Sequence, residues 1–264
     1  MSARVIVTGA YGKMGREVLK AVHHDPDLSL VGAVDVKSGD DVGELIGVGK
    51  LGIAVNSDLE KVILATKANV LIDFTRPETV MGNMRTAITN GVYPVVGTTG
   101  FSEGDLEEIR SLCKKHDLGA MIAPNFAIGA ILMMKMAVEA AKYLPHVEII
   151  EFHHDQKLDA PSGTALRTAE LIKSVRDGRK QGHPDEFEKI TGARGGDCDG
   201  MRIHSVRLPG YVAHQEVIFG GLGQTLVIRH DSISRESFMP GVVLAAKKAP
   251  MLKGLTFGLE NLLD

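Results

Sequence analysis

The 264-residue sequence has only two cysteines, Cys113 and Cys198. That is too few for a disulfide framework and the wrong spacing for a zinc knuckle, so stapled small folds are excluded and a reducing, cytoplasmic setting is expected. An excess of one charge is also missing. Thirty Lys and Arg against 33 Asp and Glu leave a formal net charge of −3, which argues against a broad nucleic-acid surface. No apolar run approaches the length of a membrane span, and Met1 opens almost directly onto a strand-like run, so no signal peptide is expected. Repeats and low-complexity segments are absent. What remains is a soluble chain long enough for one large or two modest domains.

The first residues point to a dinucleotide. Arg4 to Thr8 is a β-branched apolar run of the kind found in buried parallel strands. It leads into Gly9-Ala10-Tyr11-Gly12-Lys13-Met14-Gly15 and then an amphipathic helical pattern through Val22. Glycines in such a turn supply unusual backbone angles and close approach to a pyrophosphate, which rests on the helix N-terminus. A second strand, Leu30 to Val34, ends in Asp35, about 20 residues past the last glycine, where an acid is expected to bind ribose hydroxyls. Asp35 would repel a 2′-phosphate, whereas Lys13 and Lys37 would attract one, so both NADH and NADPH are expected to serve.

Further strands are expected at Ile53–Val55, Val70–Phe74, Tyr93–Val96 and Ala120–Ala123. Helices fit Leu59–Thr66, Glu78–Asn90 and Glu103–Lys114, and 38–52 reads as a glycine-rich loop. The alternation implies a Rossmann-like parallel sheet. The strand ends read Phe74-Thr75-Arg76-Pro77, Gly97-Thr98-Thr99-Gly100 and Pro124-Asn125-Phe126, short polar turns where open α/β sheets bind ligands. Beyond a methionine-rich helix to about Tyr143, strand patterns at Val147–His154, Met201–Leu208, Val212–Phe219 and Leu226–His230 follow without intervening helices, apart from one after Ala165. They indicate a smaller α+β domain with a mixed, largely antiparallel sheet. A charged connection is expected over 178–200 and a final helix over Glu236–Lys248. The expected domains are 1–125 with 235–264 for the dinucleotide, and 126–234 for substrate, with the active site in the cleft between them.

The densest chemistry lies in Glu151-Phe-His153-His154-Asp155-Gln156-Lys157-Leu-Asp159-Ala-Pro161-Ser162-Gly163-Thr164-Ala165. Strand alternation puts His153 and Asp155 on one face and His154 on the other, which disfavours a metal site; none is expected. Pro161 suits a first helical position with Asp159 as the cap, so Ser162, Gly163 and Thr164 fall in a first turn with amides open to an anion. Lys157 beside that turn makes a clamp for a carboxylate, and a histidine can deliver a proton at neutral pH. Other two-domain dehydrogenases, or a dinucleotide sensor without turnover, share the first domain but do not explain this segment.

These residues resemble the 4-hydroxy-tetrahydrodipicolinate reductase (dihydrodipicolinate reductase) family of the diaminopimelate route to lysine. The likeness rests on Gly-x-x-Gly-x-x-Gly, Asp-Phe-Thr-Arg-Pro at 73–77, Gly-Thr-Thr-Gly at 97–100, Pro-Asn-Phe at 124–126 and above all Glu-x-His-His-x-x-Lys-x-Asp-Ala-Pro-Ser-Gly-Thr-Ala at 151–165. It implies His153 as proton donor and Lys157 as the second catalytic residue. His154, Lys157, Ser162, Gly163 and Thr164 would hold a small cyclic dicarboxylate. Gly9, Gly12, Met14 and Asp35 would line the adenosine and pyrophosphate end, and Gly97, Thr99, Asn125 and Phe126 the nicotinamide end. It further implies a homotetramer built by the second domain's sheet. Many members carry Arg-His where this chain has Asp155-Gln156, a change that removes positive charge.

Overall fold

Strand β1 (Ala3–Thr8) is buried at five of its six positions, so it can only be an interior strand. The computed structural model describes residues 3–263. After β1 come α1 (Lys13–His24), β2 (Leu28–Val34), α2 (Val42–Ile46), β3 (Val55–Asn56), α3 (Leu59–Thr66), β4 (Val70–Asp73), α4 (Pro77–Thr89), β5 (Tyr93–Val96), α5 (Glu103–His116) and β6 (Gly119–Ile122). Helix α6 (Ile128–Ala141) leads into β7 (His146–His153), α7 (Gly163–Lys173), β8 (Gly196–Cys198), β9 (Met201–Arg207), β10 (Ala213–Gly221) and β11 (Gln224–Ser232). Helix α8 (Met239–Lys248) and β12 (Gly254–Phe257) close the chain.

Two units result. In the first, the described residues run to Ile128 and resume at Arg235; the second is Gly129–Ser234. The first unit holds a seven-stranded sheet in the order β12-β6-β5-β4-β1-β2-β3, parallel throughout. Because the strands are parallel, the turns after β1, β2, β4, β5 and β6 all leave the same edge. The order reverses between β1 and β4, where doubly wound sheets take their ligands. Val5, Ile6, Leu71, Ile72, Val95 and Val96 are fully buried in the sheet, and α1 covers it with Val18, Leu19 and Val22. Helix α5 starts with a reciprocal capping box between Ser102 and Asp105 and ends in Lys114, Lys115 and His116, each matched to the charge at its end of the helix.

The second unit carries the sheet β11-β10-β7-β9-β8, in which β7 and β9 pair in parallel and the other pairs are antiparallel.

Three elements depart from the sequence reading. Residues 38–52 contain α2, because the Asp41 carboxylate accepts from the amides of Gly43, Leu51 and Gly52 and folds the segment around itself. The connection over 178–200 includes the short strand β8. The C-terminus adds β12 beside β6, a strand of four residues with no fully buried position.

Candidate active site

At the carboxyl edge of the first sheet, Gly9 adopts φ +80°, and a Cβ there would lie 2.4 Å from the Phe74 carbonyl oxygen. A Cβ on Gly15 would lie 1.9 Å from the Gly9 carbonyl oxygen. Only glycines let α1 start this close to the ends of β1 and β4. Gly12 is the N-cap of α1 and provides no side-chain acceptor, and the first turn has no acid. Its N-terminal amides and positive dipole end therefore suit an anion. Asp35, just past β2, is positioned by two amides: Tyr11 N–H donates to Oδ2 at 2.9 Å and Val36 N–H to Oδ1 at 2.7 Å. The Tyr11 hydroxyl donates to Asp40 at 2.8 Å. Lys13 and Lys37 are exposed, and Met14 is half-buried in the first turn. A glycine cradle, an uncapped helix start and a strand-end acid fit a nicotinamide dinucleotide.

The turns after β4 and β5 meet on Asp73, which has no exposed surface. Thr75 donates to its Oδ1 through N–H (3.0 Å) and hydroxyl (2.7 Å), and the Thr98 hydroxyl adds a third bond at 3.0 Å. Thr8 and Asn83 each donate to Oδ2 at 2.7 Å. Thr75 and Thr98 thus spend their hydroxyls inward, where the sequence reading had them facing a ligand; the Thr75 carbonyl, the Thr98 backbone and the exposed Thr99 remain for one. The Phe74 ring packs on Gly97, where a Cβ would come within 2.1 Å of it, and 5.7 Å from the Phe126 ring. Phe126 is itself buried and backs Phe74. Asn125 closes its own turn by accepting from Ala127 N–H at 2.8 Å, beside exposed Pro124. Arg76 is exposed at the N-cap of α4.

In the second unit β7 ends at His153, and alternation places Glu151 on the same face. Glu151 is fully buried. Its Oε2 accepts from His153 Nδ1 at 2.5 Å and from Arg207 Nη1 at 2.8 Å; Oε1 accepts from Arg207 Nη2 at 2.7 Å and from the Ser162 amide at 3.2 Å. Burial alone would push this carboxyl up, but hydrogen bonds from His153, Arg207 and Ser205 outweigh it and hold the pKa at about 2. His154 lies beyond the strand, exposed, and its carbonyl accepts from Lys157 N–H at 3.2 Å in the turn that follows. Lys157 Nζ donates to Asp159 Oδ1 at 2.7 Å and holds that carboxyl below its usual range.

The helix start differs from the expected one. Ser162, not Asp159, is the N-cap of α7, its hydroxyl accepting from Ala165 N–H at 3.2 Å; Pro161 precedes the cap. The helix thus begins at Gly163, two residues later than Pro161 at the first position would place it, and the Glu151 carboxylate takes the amide of the Ser162 cap. Gly163 opens the first turn, and a Cβ there would meet nothing within 4 Å, so the helix end is open to a ligand. Asp155 and Gln156 bond each other at 2.8 Å.

Sequence reasoning missed Asp73, Glu151 and Arg207. Strand alternation pairs Glu151 with His153 and was a usable signal; Arg207 is 56 residues from Glu151 and carried none. His204 and His214 each bond a carboxylate, Glu148 at 2.8 Å and Asp231 at 2.6 Å. Among the described residues no cluster of three or more His, Cys, Asp or Glu could hold a metal ion, and no helix is long and apolar enough to cross a membrane.

The chain is similar to known proteins along its length. Residues 3–126 match the dihydrodipicolinate reductase N-terminus family, and residues 129–263 match the C-terminus family. The 4-hydroxy-tetrahydrodipicolinate reductase of Desulfitobacterium hafniense (strain DSM 10664 / DCB-2) is 59% identical over 99% of this chain and 98% of its own. That of Syntrophomonas wolfei is 56% identical over 99% and 98%. The solved structure of dipicolinate-bound dihydrodipicolinate reductase from Paenisporosarcina sp. TG-14 superposes with a TM-score of 0.90 at 47% identity, covering both chains completely. An amine dehydrogenase from Mycobacterium smegmatis, 16% identical over 97% of this chain and 95% of its own with a TM-score of 0.68, shares the fold alone. With both halves matched in order and such identity along its whole length, the chain belongs to the dihydrodipicolinate reductase family.

Proposed function

We propose that this protein reduces 4-hydroxy-tetrahydrodipicolinate, or its dehydrated form dihydrodipicolinate, to tetrahydrodipicolinate, oxidising NADH or NADPH, in lysine and diaminopimelate synthesis. The observation that carries the reading is the segment after β7, where His153, Lys157 and the open N-terminus of α7 are set within a few residues of one another. Residues 1–125 and 235–264 would serve the dinucleotide, and 126–234 the substrate.

A bound dihydronicotinamide supplies the hydride. The chain's own residues do the rest. Hydride addition to a conjugated C=C–C=N system leaves electron density at its far end, and His153, through Nε2, delivers the proton that quenches it. Lys157 and His154, with the Ser162, Gly163 and Thr164 turn, hold the two carboxylates. Lys157 exchanges Asp159 for substrate, since that pair lies at an accessible turn. Gly9, Gly12, Met14 and Gly15 seat the pyrophosphate and Asp35 the adenosine ribose, while Phe74, Gly97, Thr99 and Asn125 face the nicotinamide. Asp35 favours NADH and the exposed Lys13 and Lys37 favour NADPH, which supports use of both. Edge strand β11 leaves Leu226 and Val227 exposed at 40% and 51%, which favours assembly through this sheet into a homotetramer. A cytoplasmic location agrees with the two unpaired thiols.

The test is absorbance loss of NADH and NADPH in parallel, with substrate generated from pyruvate and aspartate semialdehyde. Substrate-dependent oxidation of both supports the proposal; no oxidation of either overturns it. Asp35→Ser is expected to weaken NADH about 10-fold and NADPH less, as read by fluorescence titration.

A further inference from the structure

Glu151 is bonded both to His153 and to the start of α7, two parts of the proposed substrate site, although it is fully buried. Its acceptor contacts come from three places: His153 on its own strand, Ser205 and Arg207 on β9, and the Ser162 amide at the start of α7. We infer that Glu151, clamped by Arg207, is a positioning residue that sets the ring of His153 and the N-terminus of α7 from one carboxylate. This rests on the reading of His153 as the proton-delivering group and of the α7 start as a carboxylate-holding turn.

The argument begins with hydrogen-bond inventory. An ionised carboxylate only accepts, so the nitrogen of His153 that faces it, Nδ1, carries hydrogen. Nε2 is then the nitrogen left to face substrate. In the acid form of the ring the Nε2 proton moves to the substrate carbon while the Nδ1 proton stays on Nδ1; Glu151 takes up no proton. A His153 ring with the opposite tautomer would turn a lone pair toward the carboxylate and lose the bond that orients it.

Arg207 explains why the carboxylate stays charged and in place. Its two terminal nitrogens grip both oxygens, and they also donate at 2.8 Å to the carbonyls of Asp159 and Val206. The guanidinium thereby ties the 157–161 turn to the same anchor. A lysine could not make this planar two-point grip. On the other side, Ser162 is held twice, its amide by Glu151 and its hydroxyl by the Ala165 amide. A shift of the carboxylate would therefore move the proton donor and the anion-holding turn together.

A purely structural ion pair predicts lost stability and nothing else. Positioning predicts more. Glu151→Gln, His153→Ala and the wild type are compared in turnover, in calorimetric binding of pyridine-2,6-dicarboxylate, and in the two-bond 1H–15N spectrum of the His153 ring, which His153→Ala assigns. In Glu151→Gln kcat is expected to fall about 100-fold. The Kd for pyridine-2,6-dicarboxylate should rise about 10-fold while that for NADH stays within about twofold. The wild-type ring should show Nδ1–H, and the variant should not hold it. Wild-type His153 found with hydrogen on Nε2 alone overturns the inference without any variant, so a Glu151→Gln protein that fails to fold does not shield it. A folded Glu151→Gln with wild-type kcat, Kd and ring spectrum also overturns it. Full turnover in His153→Ala would instead remove the role of His153, and the ring spectrum and dicarboxylate binding would still decide whether Glu151 positions both groups.

Discussion

Each unit contains a carboxylate with no exposed surface, and the two are satisfied in opposite ways. Asp73, at the switch point of the parallel sheet, collects five hydrogen bonds from neutral groups, four of them from hydroxyls and a side-chain amide. Glu151 collects most of its bonds from a guanidinium and an imidazole, with one amide and the Ser205 hydroxyl besides. The difference is one of reversibility. A threonine hydroxyl can turn and accept, and an asparagine side chain can flip, whereas Arg207 has no acceptor to offer. The neutral cage ties together turns around the proposed cofactor site. The ionic one fixes the direction of each donor, which suits a place where a ring nitrogen must point one way.

The largest expected effect tests that asymmetry directly. In Asp73→Asn the new NH2 can face Thr8 and a flipped Asn83, so the cost in urea unfolding should be about 1 kcal/mol. In Glu151→Gln the NH2 must face an Arg207 nitrogen whichever way it turns, and the cost should be about 3 kcal/mol or more. Equal costs would break the comparison. Asp73→Ala, which strands every donor, should approach the Glu151→Gln value, because unpaired buried donors carry their full desolvation penalty.

A second test uses pH. The folded pKa of Glu151, about 2, lies below its ordinary value of 4.5. A depressed carboxyl stabilises the fold fully above its unfolded pKa and loses that contribution as pH falls through the folded one. The stability gap between wild type and Glu151→Gln should therefore be constant above about pH 5 and shrink by about 3 kcal/mol as pH falls to about 2. A gap unchanged at acid pH would mean that the shape of the side chain, not its charge, holds the site.

Much of the fold was legible because parallel strands announce themselves. Val5-Ile6-Val7 and Val70-Leu71-Ile72 are apolar on both faces and need burial on both. Helix α3 came out at its sequence-read bounds, with Asp58 as its cap and Lys67 in the left-handed region at its end. Elements set by a single long-range contact were not legible. The turn of α2 depends on Asp41 reaching amides up to eleven residues away. Strand β12 has too few apolar positions to be seen without β6 beside it. The same holds at the site. The glycine turn, Asp35, His153 and Lys157 stand in local patterns, whereas Asp73 reads as the tail of an apolar strand and finds Thr8 65 residues back. Where a side chain acts through partners distant in sequence, spacing gives no signal.

The smallest expected effect separates the two units at the same chemical group. Ser102 and Ser162 are both serine N-caps whose hydroxyls accept an amide three residues on, at 3.2 Å in each case. Ser102→Ala and Ser162→Ala should each cost about 1 kcal/mol in unfolding free energy, the usual worth of a cap. Their effects on substrate should diverge. Ser102 caps a helix that carries no proposed site residue, so its loss should leave KM for the dicarboxylate unchanged. Ser162 sits between the Glu151 carboxylate and the open turn at Gly163, so losing its hydroxyl should loosen that turn and raise KM about threefold to tenfold, with a smaller change in kcat. If Ser162→Ala lowered kcat as strongly as Glu151→Gln, the α7 start would be acting on the proton donor itself rather than on the substrate's carboxylate, and the division of labour drawn at Glu151 would have to be redrawn.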